Sequence, residues 1–376
     1  MMKTLLKMGL SLHKNPIKVV QSLKKGMKAL QEFEKGVEKL GKDLIEKLSK
    51  DEKVFVIITR TYGVVDKGLN MEIPKILKKM GYKVITLSHL PAHSMDISNE
   101  YPNMYWPFGQ HILSGAKIVR NSENLYAIYL TNHGCGPDGI ISHYFKEEMG
   151  DKPYLQIEVD EHSSSVGVVT RLEAFVESVK RYSHKEPKEK SKLENKELKK
   201  LLIPYLYPYS SLVSAYFKGK NIDVQELPKT SDESLSIGRS FSTSKEYLSN
   251  LCLLGDAFHS IENNIAEFGH FFVPQSEGAE TFGQYSQLLK TKLSSKEKNN
   301  FSVENPFIED MFSNSNYGYP FFKVLALGDL IMNAKPEYRD EILSKYKKNL
   351  EKDEVSEKRL IELAKEIKNK LALEKF

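Results

Sequence analysis

The alternation of short β-branched runs with amphipathic stretches is the feature that most constrains the fold. Residues 54–59 form an apolar, β-branched run typical of a strand buried on both faces. A helical stretch at 73–80 follows, Gly81 ends it, and residues 82–87 have the composition of a second strand. The order strand, helix, strand implies parallel pairing through a right-handed crossover.

The same alternation extends along most of the chain. It predicts helices at 112–119, 139–148 and 170–179 and strands at 125–130 and 154–159, then a second series with strands at 201–206, 223–227 and 270–274 and helices at 210–217, 245–258 and 281–289. The capping-box pattern from Thr170 to Glu173 predicts the start of one of these helices. We therefore expect an α/β protein with two doubly wound α/β domains, an N-terminal amphipathic helix and a helical C-terminal tail.

Length and charge pattern indicate the domain boundaries. The chain has 376 residues, and single cores usually stop growing at roughly 250 to 300 residues. Residues 184–200 alternate Lys with Glu around a proline and contain few apolar residues, as expected of a solvated linker. We predict an N-terminal helical segment at 1–50, a first α/β domain at 51–183, a charged linker at 184–200, a second α/β domain at 201–300 and a helical region at 301–376.

Composition excludes several classes of protein. Two cysteines, Cys135 and Cys252, cannot form a disulfide framework, which favours a reducing, cytoplasmic location. The 55 basic and 50 acidic residues are interleaved, so we expect no nucleic-acid partner. Neither a secretory signal nor a membrane-spanning run is expected. The lysine-rich amphipathic stretch at 19–44 is expected to pack on a neighbouring domain or chain rather than on a membrane.

The loops at the carboxyl ends of the predicted strands are where a ligand of an open parallel sheet is expected. The sharpest of them runs from Asn132 to Asp138 and places Cys135 just before a helix, where the dipole favours a thiolate. Two readings of Cys135 remain open: a metal-binding or nucleophilic thiol, or a small buried hydrophobic residue. Cys252 lies in an apolar helical stretch and is expected in the core.

Other polar side chains in these loops are further candidates. A carboxylate and imidazole cluster after residue 159 is suited to binding a cation or moving protons, or else to capping backbone groups. The turns of the second domain are suited to an anionic ligand at helix N-termini, although no P-loop and no G-x-G-x-x-G motif is present. Besides Cys135, the candidate cleft residues are Asn132, His133, Asp138, Asp160, Glu161, His162, Lys245, Glu246 and Gln284.

Taken together, these segments resemble the acyl-CoA dehydratase activase-related family, the relatives of 2-hydroxyacyl-CoA dehydratase subunits and CoA-substrate-specific enzyme activases. The resemblance spans residues 50 to 345 and is carried by Arg60-Thr61-Tyr62-Gly63, Asp66-Lys67-Gly68-Leu69-Asn70, Gly134-Cys135-Gly136-Pro137-Asp138, Asp160-Glu161-His162-Ser163, Gly238-Arg239, Gly255-Asp256 and Phe282-Gly283-Gln284-Tyr285.

The resemblance implies an iron-sulfur cluster, a [4Fe-4S] centre, held by cysteines from separate strand-to-helix turns. Cys135 matches the first of these cysteines, whereas Tyr247 and Glu280 stand where the other two are expected. Cys252, five positions beyond Tyr247, is a poor substitute. A thiolate, a phenol and a carboxylate form a mismatched shell for iron, so we predict that the cluster is lost or strongly altered and that the chain holds no cofactor.

Two functions from different classes follow. The first is a cluster-deficient scaffold or partner subunit of an iron-sulfur acyl-CoA dehydratase or activase system, with a cluster-bearing or ATPase activase chain as its partner, acyl-CoA as a possible ligand and oligomerisation possible. The second is a redox enzyme component that binds iron through Cys135 with altered ligands. A weaker third reading is a Cys135 nucleophile assisted by His133 or His162. Whether the chain is an enzyme stays open.

Overall fold

The structure is a computed structural model that describes residues 2–12, 15–160, 162–163, 165–183, 200–242, 246–313, 318–352 and 357–367. It divides into two compact units. Unit 1 comprises Met1–Pro102, Trp106–His133 and Tyr144–Lys188, and unit 2 comprises Asn103–Tyr105, Gly134–His143 and Glu189–Phe376. None of the helices in the described ranges combines the length and apolar content that a membrane crossing requires.

The first half of the chain alternates helices with four strands. In chain order the elements are α1 (Met2–Leu12), α2 (Pro16–Ile45), β1 (Val54–Ile58), α3 (Thr61–Val65), α4 (Ile73–Lys79), β2 (Lys83–Thr86), the 3-10 turns Leu87–His89 and Pro91–Ser94, α5 (Pro107–Asn121), β3 (Leu125–Asn132), α6 (Gly136–Met149), β4 (Leu155–Val159) and α7 (Ser165–Arg181).

The second half repeats this alternation and ends in helices. Its elements are β5 (Lys200–Ile203), α8 (Tyr209–Gly219), β6 (Asp223–Glu226), α9 (Asp232–Ser240), α10 (Leu248–Glu262), β7 (Gly269–Phe272), the 3-10 turn Thr281–Gln284, α11 (Tyr285–Ser295), β8 (Phe301–Glu304), α12 (Ile308–Ser313), α13 (Gly318–Asn333), α14 (Pro336–Glu351) and α15 (Glu357–Glu366).

Each half contains a four-stranded parallel sheet, and the two sheets have equivalent strand orders: β2-β1-β3-β4 and β6-β5-β7-β8. All five residues of β1 are buried, which explains why its sequence is continuously apolar. Helices flank both sheets, so the predicted α/β class with a helical C-terminal tail is confirmed. The boundaries proposed for the domains stay predictions, and residues 184–199 of the expected linker lie outside the described residues.

The C-terminal helices complete the core of the second unit. Phe321, Leu327 and Ile331 of α13 are buried with Leu212 and Phe217 of α8. Residues of α14 and α15 join the same cluster. The tail therefore packs on the body of unit 2, as its one-sided apolar pattern predicts.

Three elements of unit 2 differ from the predicted ones. The chain after Asn300 was expected to be helical, but residues 301–304 form β8, which pairs parallel with β7. Four residues are too few to show a period, and the burial of Phe301 and Val303 against the sheet decides the conformation. The helix α9 was not predicted, and the helix expected at 245–258 is α10, which begins at Leu248.

The predicted start of α7 is also wrong. Thr170 lies inside this helix, which begins at Ser165. The intervening residues are β-branched or glycine and have low helix propensity, so the sequence does not suggest an earlier start. Burial of Val168 in the core of unit 1 favours the extra turn.

Candidate functional site

The carboxyl edge of the first sheet brings together polar side chains from different strands. Asn132, at the end of β3, lies in register with Val159, at the end of β4. The Asn132 amide donates to the Tyr62 hydroxyl at 3.1 Å, and Nδ1 of His133 is hydrogen-bonded to the Glu158 carboxylate. Two of the predicted candidates are thus held at one edge, and their partners Tyr62 and Glu158 were not among the predicted site residues.

Asp160 organises the loop after β4. Its carboxylate accepts the His162 backbone N–H at 3.0 Å and the Ser163 hydroxyl at 2.8 Å. The Ser163 hydrogen bond is the main cause that lowers the pKa of Asp160 below its ordinary value. The Asp160 side chain therefore satisfies hydrogen-bond donors within its own turn. The His162 side chain is exposed. Glu161 lies outside the described residues.

Cys135 stands directly before α6. Its carbonyl accepts the Gly139 N–H at 3.0 Å, which is the first turn of the helix. The preceding Gly134 has φ +63°, a left-handed conformation that favours glycine. The Cys135 side chain is half-buried, so the positive end of the helix dipole lies beside a thiol that is accessible in part.

Tyr247 lies against the same helix start. A Cβ placed on Gly136 would meet the Tyr247 ring at 3.2 Å, so the ring packs directly over the backbone next to Cys135. Tyr247 immediately precedes α10 and its side chain is 55% exposed. The first two positions of the predicted ligand set are therefore neighbours in unit 2.

Glu280, the third position, also precedes a helical turn. It is the residue before Thr281–Gln284, which leads into α11. The Tyr285 hydroxyl bridges this turn to α10, because it is 3.0 Å from the Ser249 hydroxyl and 3.4 Å from the Thr281 hydroxyl. All three predicted ligand positions thus occupy helix N-termini, and hydrogen bonds join two of these termini directly.

A buried hydrogen bond anchors the segment before Tyr247. The Glu246 carboxylate is hydrogen-bonded to Nε2 of His143 on α6 and accepts the Ser242 hydroxyl at 2.5 Å. The Glu246 and His143 side chains are 0% and 3% exposed. Glu246 therefore fixes the backbone directly before Tyr247. His143 was not among the predicted site residues.

Several other predicted candidates are buried or lie outside the description. Asp138 is buried in the first turn of α6, and its carbonyl accepts the Ser142 hydroxyl at 2.7 Å. The buried Gln284 amide donates to the Asn103 carbonyl, while the Asn103 amide donates to the Gly283 carbonyl at 2.6 Å. Asp138 and Gln284 therefore make hydrogen bonds that stabilise the fold of unit 2. Lys245 lies outside the described residues.

Asn250 is a second residue that the sequence did not single out. It lies in the first turn of α10 and is 0% exposed. Among the described residues, neither its amide nitrogen nor its amide oxygen has a hydrogen-bond partner. Such a group is costly to bury, and no feature of the amino-acid sequence marks it.

The donor atoms at these helix N-termini do not fit a [4Fe-4S] cluster. Such clusters are held by thiolates, but Cys135 is the sole thiol among the three positions, since the others carry a phenol and a carboxylate. Within the described ranges no three His, Cys, Asp or Glu side chains come together in a way that could hold a metal ion. Cys252 was expected in the core, but it is half-buried on α10. It offers no replacement, because this burial raises the pKa of its thiol and the nearby Asp256 adds to the shift.

The fold defines the chain as an α/β protein of two parallel-sheet units. Residues 1–90 match the family described as CoA enzyme activase uncharacterised domain (DUF2229), so this region is similar to the CoA enzyme activase-related proteins. The predicted family resemblance is confirmed at this level. The positions of Cys135, Tyr247 and Glu280 lie beyond the matched residues. Neither the curated proteins nor the solved structures include a match.

Proposed function

We propose that this protein is a cluster-deficient partner subunit or scaffold in an iron-sulfur acyl-CoA dehydratase or activase system. The observation that carries the proposal is the placement of Cys135, Tyr247 and Glu280 at helix N-termini of one unit, with a thiol at the first position alone. The region that matches the activase family suggests association with other enzyme chains.

The packing of Tyr247 supports this proposal. An aromatic ring over Gly136 fills space beside Cys135, and the buried pair of His143 and Glu246 holds its backbone in place. A phenol fixed there is a poor ligand for the soft iron of a cluster. The same helix N-termini still present backbone N–H groups, which suit an anionic group such as a CoA phosphate or an acidic segment of a partner chain.

Iron and acid-labile sulfide content, measured after anaerobic reconstitution, tests the cluster-deficient state. We expect neither above background. About four irons per chain with a broad thiolate-to-iron absorption band would refute it.

A gain-of-cluster variant tests whether the three positions are equivalent to a ligand set. The double variant Tyr247→Cys with Glu280→Cys supplies the two missing thiols, and we expect it to take up iron and sulfide. The matched control is Leu248→Cys with Phe282→Cys, which adds two thiols at neighbouring exposed positions. Equal uptake by both variants would show that the thiols bind iron without the proposed geometry.

The partner role needs its own measurement. We expect the purified chain to bind acyl-CoA or to be recovered with a cluster-bearing or ATPase activase chain from cells that contain such proteins. A chain that binds no acyl-CoA and is recovered alone contradicts the proposal.

The alternative is a redox enzyme component that binds iron through Cys135, and the half-buried thiol at the start of α6 favours it. On this alternative Cys135→Ser removes both metal and activity, whereas Cys252→Ser, in the interior of α10, changes neither. A metal content unaffected by Cys135→Ser would exclude it.

A further inference from the structure

The middle of α2 carries an apolar face that no other described residue of unit 1 covers. Within the described residues the helix is packed near its two ends. Close to its start, Val19 fills the space beside Gly9 of α1, and near its end Gly41 lies against the backbone of His89. Between these two contacts several large apolar side chains are 39% to 67% exposed: Val20, Met27, Leu30, Phe33 and Leu40.

The spacing of these residues is symmetrical. With the half-buried Leu23 and Val37, they fall at 20, 23, 27, 30, 33, 37 and 40, which are mirror positions about Leu30. At 3.6 residues per turn they share one broad face of a helix about 45 Å long. Two copies of α2 that cross antiparallel at Leu30 would therefore pair large side chains with large side chains along the part of the stripe between these two contacts.

The charges of α2 favour the same orientation. Residues 16–30 contain four lysines and no acidic residue, whereas residues 31–45 contain four acidic residues and three lysines. Lys24, Glu34 and Glu38 lie toward one border of the stripe. Antiparallel pairing brings Lys24 near Glu34 and Glu38 of the partner subunit, while parallel pairing brings like charges together. The opposed helix dipoles add to the preference.

We propose that α2 is a homodimerisation helix that pairs antiparallel with a second copy of this chain through the stripe centred on Leu30. The surface is distinct from the helix N-termini of unit 2, so the proposal does not depend on the proposed function. It explains why a 30-residue helix exposes an ordered apolar face in a single chain.

Light scattering after size exclusion, over a dilution series of the full chain, is the first test. We expect a mass that approaches twice the 43.0 kDa of one chain. The exposed substitutions Leu30→Lys and Phe33→Lys should each raise the dissociation constant by about tenfold or more without loss of helix content, because they place a charge in an apolar seam. Gln21→Lys adds the same charge on the opposite face and should leave the mass unchanged.

Orientation is tested by exchange of charges and by cross-linking. Lys24→Glu should weaken the dimer, and its combination with Glu38→Lys should restore it. Oxidised Leu30→Cys should cross-link to itself, whereas Leu40→Cys alone should not, because its neighbour in the pair is Val20 of the partner subunit.

A monomer at every concentration overturns the proposal, as does self-cross-linking of both variants. A monomer that sediments with phosphatidylserine vesicles, and loses this binding on Leu30→Lys, would assign the stripe to a membrane instead.

Discussion

The contact between α9 and α10 makes a sharp prediction for Gly255→Ala. A Cβ at Gly255 would lie 2.1 Å from the Ser234 carbonyl oxygen and 2.8 Å from its carbon. Both atoms belong to the backbone, so no side-chain rotation relieves the clash and the helices must separate. A Cβ at Gly238 would similarly lie 2.1 Å from the Leu251 carbonyl oxygen, which shows that the two helices approach at both glycines.

The magnitude follows from two opposed effects. Alanine improves helix propensity by about 1 kcal/mol over glycine. Overpacking costs about 1 to 3 kcal/mol, and a clash with backbone atoms, which cannot rotate away, lies at the upper end of this range. We therefore expect a net loss of about 2 kcal/mol in the free energy of unfolding of unit 2. With a urea dependence of about 2 kcal/mol per M, the unfolding midpoint should fall by about 1 M.

Urea unfolding followed by far-ultraviolet circular dichroism measures this change. The matched control is Gly36→Ala on α2, where nothing lies within 4 Å of the new Cβ and the propensity gain should leave helix content equal or higher. An unchanged or raised midpoint for Gly255→Ala would refute the close approach of α9 and α10.

Three further predictions concern buried titratable groups. Glu246→Ala should lower the free energy of unfolding by about 1 to 3 kcal/mol in urea unfolding, because the buried His143 ring nitrogen loses its hydrogen-bond partner. Glu246→Gln keeps an acceptor and should cost less, and equal effects of the two variants would contradict a role for the hydrogen bond. Burial, with a further contribution from His93, lowers the pKa of His111 from 6.5 to about 4, so stability should be full above pH 6.5 and fall from there toward pH 4, a dependence that His111→Gln should reduce. Burial raises the pKa of Asp256 above 3.8, so its contribution should be present at lower pH and lost as the pH rises through the raised pKa; an Asp256→Asn variant with the same pH profile as the parent chain would show that this carboxyl does not titrate on unfolding.

The proposed partner subunit function and the proposed dimerisation through α2 depend on different residues and are tested by different measurements. Substitutions at Tyr247 and Glu280 should change metal uptake without changing the mass in solution. Substitutions at Leu30 and Phe33 should change the mass without changing metal uptake. Failure of one proposal therefore leaves the other intact.

The sequence by itself determined the alternation of strands and helices in both halves, because continuous apolar, β-branched runs such as residues 54–58 are typical of strands in a covered parallel sheet. It also determined the amphipathic character of α2 and the position of Cys135 at a helix start. These features depend on local composition and on the periods of helix and strand, which can be read along the chain.

Only the tertiary structure decided which helix starts come together. It places the ring of Tyr247 over Gly136 and buries Glu246 with His143, although these residues are more than 100 positions apart in the chain. It also leaves the Asn250 amide buried without a hydrogen-bond partner among the described residues. The strand β8 and the first turn of α7 likewise depend on burial against distant residues rather than on local propensity. Contacts of this kind are set by packing and desolvation, which no local pattern of residues encodes.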